Sequence, residues 1–171
     1  MYVQIKRVNE EYKNKLIIQK NGAVGYGLVA TRAFSKGDHV MTGKAKSSGR
    51  VQHSHTLQTS AYTHTLMGLP CVLVNHSCDA NLGIQDNAYG AYDYFAVKPI
   101  AQGDELLWDY ETSEYEINDF PCACGASGCR GRLRGYKHHG EIVKRIYGDE
   151  YIAGYLSNSS SSSAASSDEE S

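Results

Sequence analysis

Three features are missing from this sequence of 171 residues, and each absence argues against a class of protein. No apolar run approaches the ~20 residues that a membrane-spanning helix needs, so we expect no membrane partner. The formal net charge is only −2, so overall charge indicates neither a nucleic-acid binder nor a membrane-surface protein. Residues 1–6 lack the basic and then apolar stretch of a secretory signal. We therefore expect a protein of the nucleus or cytoplasm, not a secreted one.

The apolar residues that are present occur in short runs between glycine and polar turns. Apolar residues make up 41% of the chain, which is enough for one hydrophobic core. At 171 residues the chain is too short for two domains of ordinary size. Such runs are typical of short β-strands. The runs that predict strands are 16–18, 28–30, 72–74, 94–97 and 105–108. One longer helix is predicted near 140–147, where Ile142, Val143 and Ile146 can share a face.

The last fifteen residues differ in composition from the rest. Residues 157–171 are mostly serine and end in Asp168, Glu169, Glu170 and Ser171. Such a segment cannot bury enough apolar surface to offset the entropy of ordering it, so we expect a disordered acidic tail. Its serines could be phosphorylated, or the tail could serve only solubility.

Four of the five cysteines have a spacing that suits a metal ion. Cys122 and Cys124 are one residue apart and Cys129 follows five positions later, while Cys78 is the natural fourth ligand. Zinc prefers four soft ligands in a tetrahedron, so this set predicts a structural zinc site that joins two remote stretches. Two disulfides are the alternative, which a reducing compartment disfavours. Cys71 is then left over, as a small buried apolar residue.

Four motifs resemble, in their order and spacing along the sequence, those of the SET-domain protein-lysine N-methyltransferases. They are Gly25 to Gly27, residues 75–78 with Asn81, residues 104–110, and the final cysteine triplet. The resemblance covers roughly residues 20–134. It implies a mainly β fold of small curled sheets with a pseudoknot, in which the segments of Asn75 and Tyr110 lie side by side. It also implies that the cysteine triplet and Cys78 form the family's post-SET zinc site.

The resemblance implies a division of the chain into five parts. Residues 1–19 would be an N-terminal strand or extension, and residues 20–115 the SET domain. The post-SET zinc-binding segment would follow at 116–135, a C-terminal helix at 136–156, and the disordered tail at 157–171.

The family's cofactor is S-adenosyl-L-methionine, and the resemblance implies which residues hold it. Gly25, Tyr26 and Gly27 would form a turn that allows close backbone approach. Asn75 and His76 would hydrogen-bond the cofactor. Without the family context the glycines could form an ordinary hairpin turn, and His76 could be a hydrogen-bonded core histidine.

Two residues of the cysteine-rich segment complete the implied cofactor site. Ala123 and Leu133 would pack on the adenine once zinc has folded this part of the chain. The structural zinc would then be a requirement for catalysis. Leu133 taken alone would be an ordinary core residue.

Tyr110 and Trp108 are the implied catalytic residues. Tyr110 matches the family's catalytic tyrosine, whose hydroxyl orients the substrate amine. Trp108 lies two residues earlier, where the family usually has phenylalanine or tyrosine. We predict that its bulk, or a water held by its indole N–H, limits the product to monomethyl- or dimethyl-lysine. The alternative is that the indole packs in the core.

Some positions depart from the family pattern. Val72 and Ala80 stand where the family commonly has arginine and proline, so the local backbone could be looser. The variable segment between Gly43 and Leu69 is short and contains His53, His55 and His64. These histidines could form a second zinc site or be simple surface residues.

A second class of function is a catalytically silent, zinc-stapled module that binds nucleic acid or protein. It would use basic residues of the stretch 130–145, called the basic segment below. The six are Arg130, Arg132, Arg134, Lys137, Lys144 and Arg145. An enzyme could use the same segment to contact DNA while it acts on a histone tail or another protein with an accessible lysine.

Overall fold

The computed structural model describes residues 2–22, 25–53 and 55–157, and the fold is mainly β. The helices are α1 (Tyr2–Tyr12), α2 (Tyr136–Tyr147) and α3 (Gly154–Ser157), and there are 3-10 turns at Cys71–Leu73, Tyr110–Thr112 and Asp149–Tyr151. The strands are β1 (Leu16–Asn21), β2 (Gly25–Ala30), β3 (His39–Thr42), β4 (Ala45–Gly49), β5 (Thr56–Ser60), β6 (Thr63–Met67), β7 (Asn75–His76), β8 (Leu82–Asp86), β9 (Tyr92–Ala96), β10 (Glu105–Trp108), β11 (Phe120–Pro121) and β12 (Arg132–Leu133).

The largest sheet has seven strands and brings distant parts of the chain together. Its order is β1-β2-β10-β8-β9-β3, and the short β7 pairs with β10 outside this path. The predicted runs 16–18, 28–30 and 105–108 lie in strands of this sheet, and the run 94–97 lies in β9 except for Val97. Leu16, Leu28, Leu82 and Leu106 are fully buried there. Alternating apolar side chains therefore place the core on one face of the sheet.

Two smaller sheets flank the large one. The histidine-containing variable segment forms a three-stranded antiparallel sheet in the order β4-β6-β5. The cysteine-rich segment contributes β11 and β12, whose pairing places Phe120 opposite Leu133. No strand was predicted in either segment, because their residues are mostly polar and do not form apolar runs.

The N-terminal segment 1–19, for which a strand or extension was expected, contains helix α1 and the start of β1. Ile5, Val8 and Tyr12 recur at helical spacing and pack against the core. Asn9 joins the helix to the sheet, since its Oδ1 accepts from the backbone N–H of Ile18 at 2.7 Å and its Nδ2 donates to the Ile18 carbonyl at 3.1 Å.

The predicted strand at 72–74 is wrong. This stretch is a 3-10 turn, Cys71–Leu73, and Val74 follows it in an extended conformation. A three-residue apolar run fits either structure, so periodicity alone could not decide between them.

Helix α2 contains the predicted helical stretch but begins earlier, and it buries a different face. Val143 and Tyr147, one turn apart, are buried, whereas Ile142 and Ile146 are 41% and 49% exposed. Gly135 begins the helix with a φ of 97°, and a Cβ at this position would lie 2.5 Å from the Tyr115 carbonyl oxygen. Only glycine fits this position.

Two further expectations concern the C-terminal tail and membrane-spanning helices. The predicted disordered tail lies, apart from Ser157, outside the described residues. Among the residues that are described, no helix has both the length and the apolar character that crossing a membrane requires.

Candidate active site and metal centre

The pairing of β7 with β10 positions the site. These strands run parallel, with Asn75 opposite Leu107 and His76 opposite Trp108. Asn81 fastens the next turn of chain to the same strand, because its side chain donates to the Glu105 carbonyl and accepts from the Leu107 N–H. The expected side-by-side arrangement of the Asn75 and Tyr110 segments is therefore confirmed.

Asn75 also holds the start of β2, Gly25 to Gly27, in place. Its Nδ2 donates to the Tyr26 carbonyl at 3.2 Å and to Glu105 Oε1 at 2.9 Å. A Cβ on Gly27 would lie 2.7 Å from Glu105 Oε1, and Gly25 has a φ of 94°. A side chain on Gly27 would therefore displace Glu105, and the backbone conformation of Gly25 favours glycine. Gly25 to Gly27 are the first residues of β2 and pair with Gln19 to Asn21 of β1, so they are strand residues and not the predicted turn.

Two clefts meet at Tyr110. The first, called the glycine cleft, has a volume of about 480 Å³ and is bordered by Gly25, Tyr26 and Asn75. The second, called the tryptophan cleft, has a volume of about 370 Å³ and is bordered by Trp108, Glu114 and Phe120. Both are lined by His55, Val72, Val74 and Tyr110. These four residues are therefore the wall between the two spaces.

Tyr110 is fixed in this wall by both its backbone and its side chain. Its hydroxyl donates to the Val74 carbonyl at 3.0 Å, and its N–H donates to His76 Nδ1 at 3.3 Å. Burial raises the pKa of the phenol to about 12. The hydroxyl therefore stays neutral at physiological pH and can act as a hydrogen-bond donor or acceptor, but not as a base.

Trp108 is 1% exposed, yet its ring borders the tryptophan cleft. Its indole N–H donates to Thr112 Oγ1 at 2.7 Å. The ring packs edge-on against Tyr94 and tilted against Tyr110, with centroid distances of 6.1 and 5.0 Å. The residue thus packs in the core and also shapes the cleft. The expected water on its N–H is unnecessary, because a protein side chain already accepts that hydrogen.

The cysteine-rich segment folds back against β7. Ligand atoms of His76, Cys78, Cys122 and Cys124 all lie within 4.8 Å of one another. The Sγ atoms of Cys78 and Cys122 are 3.8 Å apart, too far for a disulfide, and all five cysteines are free. Cys71 is buried apart from this group, and burial raises its pKa to about 12.

The donors around the sulfur atoms fit a thiolate-bound metal. Backbone N–H groups point at Cys124 from Cys78, at Cys78 from Arg130 and at Cys129 from Gly131, at 3.4 to 3.5 Å. Burial opposes ionisation of Cys124, but hydrogen bonds from the backbone of Cys78 and Ala126 and from the thiols of Cys129 and Cys122 outweigh it and lower its pKa to about 6. Burial raises the pKa of Cys122 to about 11, so a cation is needed to hold that sulfur as a thiolate.

Cys129 lies beside the group without belonging to it. Its Sγ is 3.8 Å from the Cys122 carbonyl oxygen. His76 lies closer in its place, with Nε2 at 3.4 Å from Cys78 Sγ. Because His76 Nδ1 accepts the Tyr110 N–H, the neutral imidazole carries its proton on Nε2. Burial is the main cause that lowers the His76 pKa, which favours this neutral form.

A buried charge cluster joins the cysteine-rich segment to the chain around Tyr110. Arg130 contacts Asp109 at 2.7 Å and Glu111 at 2.8 Å, and both carboxylates are fully buried. Glu111 also accepts the N–H groups of Arg134 and Gly135 and contacts His139. The residues on either side of Tyr110 are therefore held by a single arginine and by the start of α2.

Replacing Arg130 by methionine is expected to destabilise the fold. Asp109 and Glu111 would keep their buried charge without a cation, and breaking a buried pair in this way costs roughly 3 kcal/mol. The exposed Arg132 pairs with Asp119 at the surface, so Arg132→Met should cost below about 1 kcal/mol. Urea unfolding of both variants measures the difference; equal costs would contradict the assigned role of Arg130.

The basic segment is largely neutralised within the protein. Arg130 is buried with its carboxylates, Arg132 and Arg134 face Asp119, Lys137 pairs with Glu116 and Lys144 pairs with Asp149. These internal partners reduce the positive field that a nucleic-acid surface needs.

Not every predicted cofactor residue reaches the clefts. Ala123 is exposed and Leu133 is buried behind β11, and neither borders the glycine or the tryptophan cleft as the described residues form them. Conversely, Glu111 and Glu114 were not singled out, and Arg130 was singled out only as part of the basic segment. No sequence signal marks their burial, since a glutamate or arginine is usually exposed.

The three histidines of the variable segment have different surroundings. His55 borders both clefts, His53 borders the tryptophan cleft, and His64 lies 4.0 Å from Glu114. Within the described part of the chain, the group around Cys78 is the one set of three or more residues with metal-ligand spacing.

Comparison with known proteins identifies relatives of this arrangement. The family model "SET domain" matches residues 25–111, just over half of the chain. Histone-lysine N-methyltransferase met-2 of Caenorhabditis elegans is 38% identical over 69 residues, covering 35% of this chain and 5% of that protein. Histone-lysine N-methyltransferase trr of Drosophila melanogaster is 28% identical over 147 residues, covering 74% and 6%. The chain thus spans only a small part of these curated relatives.

Two solved structures share the fold. KRYPTONITE, in a complex with mCHG DNA and SAH, aligns with a TM-score of 0.56 and 20% identity over 68% of this chain and 28% of its own. The methyltransferase domain of human SETMAR aligns with a TM-score of 0.53 and 20% identity over 70% of this chain and 58% of its own.

Proposed function

The chain belongs to the SET-domain family, and from this premise we propose that it is an S-adenosyl-L-methionine-dependent protein-lysine N-methyltransferase. The observation that carries the proposal is the position of Tyr110 in a wall shared by two clefts. A methyl donor and a lysine could approach this residue from opposite sides. In-line methyl transfer requires that arrangement, because the enzyme mostly aligns donor and acceptor and excludes water.

We assign the cofactor to the glycine cleft. Gly25 and Tyr26 border it, and Gly27 follows them in the same strand. Asn75 borders it as well and holds the start of β2 through the Tyr26 carbonyl. Bound there, the cofactor supplies an electrophilic methyl group on a positive sulfur. His76 supports the site indirectly, by fixing the backbone of Tyr110.

Ala123 and Leu133 remain proposed adenine contacts that depend on the metal. Ala123 lies between Cys122 and Cys124, and Leu133 lies between Cys129 and α2, where it pairs with Phe120.

The substrate lysine would enter the tryptophan cleft. Its ammonium group has a reference pKa near 10.4 and must lose a proton before its lone pair can attack. Apolar side chains such as Leu57, Val72 and Phe120 border the space and disfavour the charged form by desolvation. The neutral Tyr110 hydroxyl can accept a hydrogen bond from the free amine and so orient its lone pair.

We propose zinc as the structural metal, bound by Cys78, Cys122, Cys124 and Cys129. His76 is the competing fourth ligand by distance. Its Nε2 proton, however, suits donation to the Cys78 thiolate rather than metal coordination. His76 would therefore link the metal site to Tyr110 through its two ring nitrogens.

We propose that the bulk of Trp108 restricts the product to monomethyl- or dimethyl-lysine. Replacing it with phenylalanine would remove part of the ring from the cleft and leave room for further methyl groups. Mass spectrometry of the product should then show a shift toward trimethyl-lysine for Trp108→Phe. Trimethyl-lysine as the main product of the unaltered protein would contradict the proposal.

The substrate is proposed to be a histone tail or another protein with an accessible lysine, in the nucleus or cytoplasm. DNA contact through the basic segment has weaker support, since five of its six basic residues have internal partners. The silent binding module has no comparable support from the site.

The function is tested by incubating the zinc-loaded protein with S-adenosyl-L-methionine that carries a labelled methyl group. Core histones and a whole-protein extract serve as acceptors. We expect label on lysine side chains, identified after complete hydrolysis. Binding of the cofactor without any labelled protein, or label on residues other than lysine, would contradict the proposal.

A further inference from the structure

The lining of the tryptophan cleft is largely apolar, yet it includes one group that can carry a negative charge. Among its described lining residues there is one carboxylate, that of Glu114, and there is no lysine or arginine. This side chain is only 6% exposed. A buried carboxylate without a cationic partner is costly, so its presence in the cleft that Trp108 and Tyr110 also line calls for a reason.

Glu114 is held firmly by neutral donors. Oε1 accepts the backbone N–H of Gln58 at 2.6 Å and the hydroxyl of Ser113 at 3.3 Å. Oε2 accepts from the Gln52 amide at 3.1 Å. These bonds fix the position of the group without neutralising its charge. A carboxylate oxygen has more than one lone pair, so Oε2 can accept a further hydrogen.

The environment keeps this carboxyl group ready to exchange a proton near neutral pH. Burial raises the pKa of Glu114 to about 7, although its hydrogen bonds act in the opposite direction. A proton acceptor works best when its pKa lies near the working pH. An ordinary surface glutamate would be too weak a base for this purpose.

His64 on β6 offers a way for the proton to leave. Its Nδ1 lies 4.0 Å from Glu114 Oε2, and it is buried without a hydrogen-bond partner. Burial lowers its pKa, so the ring is neutral and would carry the proton only in passing. The other titratable groups that face the carboxylate are Tyr92 on β9, Tyr155 on α3 and, along the cleft, His53, His55, Cys71 and Tyr110.

This inference rests on the proposed function: we propose that Glu114 accepts the proton which the substrate lysine loses before methyl transfer. An N–H bond of the ammonium breaks and an O–H bond forms on the carboxylate. The freed electron pair makes the new N–C bond, while the bond from methyl to sulfur breaks and leaves its electrons on sulfur. The proton passes from Glu114 through His64 to solvent.

The first test needs no variant. It compares single-turnover methyl transfer from pH 5 to 10 on two peptides, one with the labelled lysine and one with S-(2-aminoethyl)cysteine, a less basic amine, in its place. Glu114 as proton acceptor predicts that the rate rises through about pH 7 for both peptides. A midpoint that moves with the basicity of the amine would overturn the proposal.

The second test compares Glu114→Gln with Glu116→Gln, a matched change two residues away at an exposed surface pair with Lys137. At pH 7 Glu114→Gln should lower the rate on lysine about 100-fold. On the analogue the loss should shrink by about tenfold for each unit by which its pKa is lower. Glu116→Gln should retain the normal rate and pH profile.

The outcomes separate a chemical role from a structural one. Equal losses on both peptides would assign Glu114 to folding alone and overturn the proposal. If Glu114→Gln does not fold, the pH profiles of the unaltered protein still decide. Absence of methyl transfer by the unaltered protein would refute the proposed function itself, whereas transfer with an amine-dependent midpoint would refute only the role of Glu114.

Discussion

Removal of zinc is expected to unfold the cysteine-rich segment and abolish cofactor binding. Four thiolates would lose the cation that holds them together, and zinc binding contributes about 10 kcal/mol or more in small zinc-finger peptides. That is as large as the whole stability of many domains. Because Arg130 follows Cys129 directly, the buried contacts to Asp109 and Glu111 should loosen as well. Hydrogen exchange before and after chelation would locate the affected residues.

A pair of cysteine variants controls this prediction. Cys124→Ala removes a proposed ligand, whereas Cys71→Ala removes a buried thiol outside the cluster. Only the first should lower the zinc content, which we expect to be one ion per chain in the unaltered protein. Equal zinc content in both variants, or cofactor affinity unchanged by chelation, would refute the structural role of the metal.

Tyr110→Phe is expected to lower the rate of methyl transfer about a thousandfold, the upper range for loss of one positioned hydrogen-bonding group in an active site. The ring would stay between the two clefts, but the hydroxyl that contacts the Val74 carbonyl would be gone. The substrate amine would then lose the group that orients it. Cofactor affinity should change by less than about threefold, since Gly25 to Gly27 and Asn75 are unchanged in this variant.

Single-turnover kinetics and equilibrium cofactor binding together measure this split. Tyr62→Phe is the matched control, because Tyr62 is 78% exposed and lines neither cleft. It should behave as the unaltered protein. A Tyr110→Phe variant that transfers methyl at the normal rate would show that the hydroxyl has no part in the reaction.

The strands of the large sheet were predictable where apolar runs are bounded by turns, as for Leu16 to Ile18 and Glu105 to Trp108. The three-stranded sheet was not, because its strands are rich in serine, threonine and histidine, and their pairing depends on remote partners. Helix α1 carried a readable signal in Ile5, Val8 and Tyr12. It is short and mostly polar, which weakened that signal.

The arrangement of the site could be predicted only for the residues that belong to family motifs. Asn75 and Tyr110 do lie together, and the sulfur atoms of Cys78, Cys122 and Cys124 do cluster. The charge cluster of Arg130 and the buried Glu114 could not be foreseen. Their burial follows from packing between segments that are far apart in sequence, such as the 56-residue separation of Glu114 and Gln58.

The decisive measurement is a structure of the zinc-loaded protein with S-adenosylhomocysteine and a peptide carrying the labelled lysine. We expect the cofactor in the glycine cleft against Gly25 and Asn75, and the lysine side chain in the tryptophan cleft. The lysine nitrogen should face the cofactor sulfur beside the Tyr110 hydroxyl. Both ligands in one cleft, or a cofactor bound away from Gly25 to Gly27, would contradict this placement of donor and acceptor.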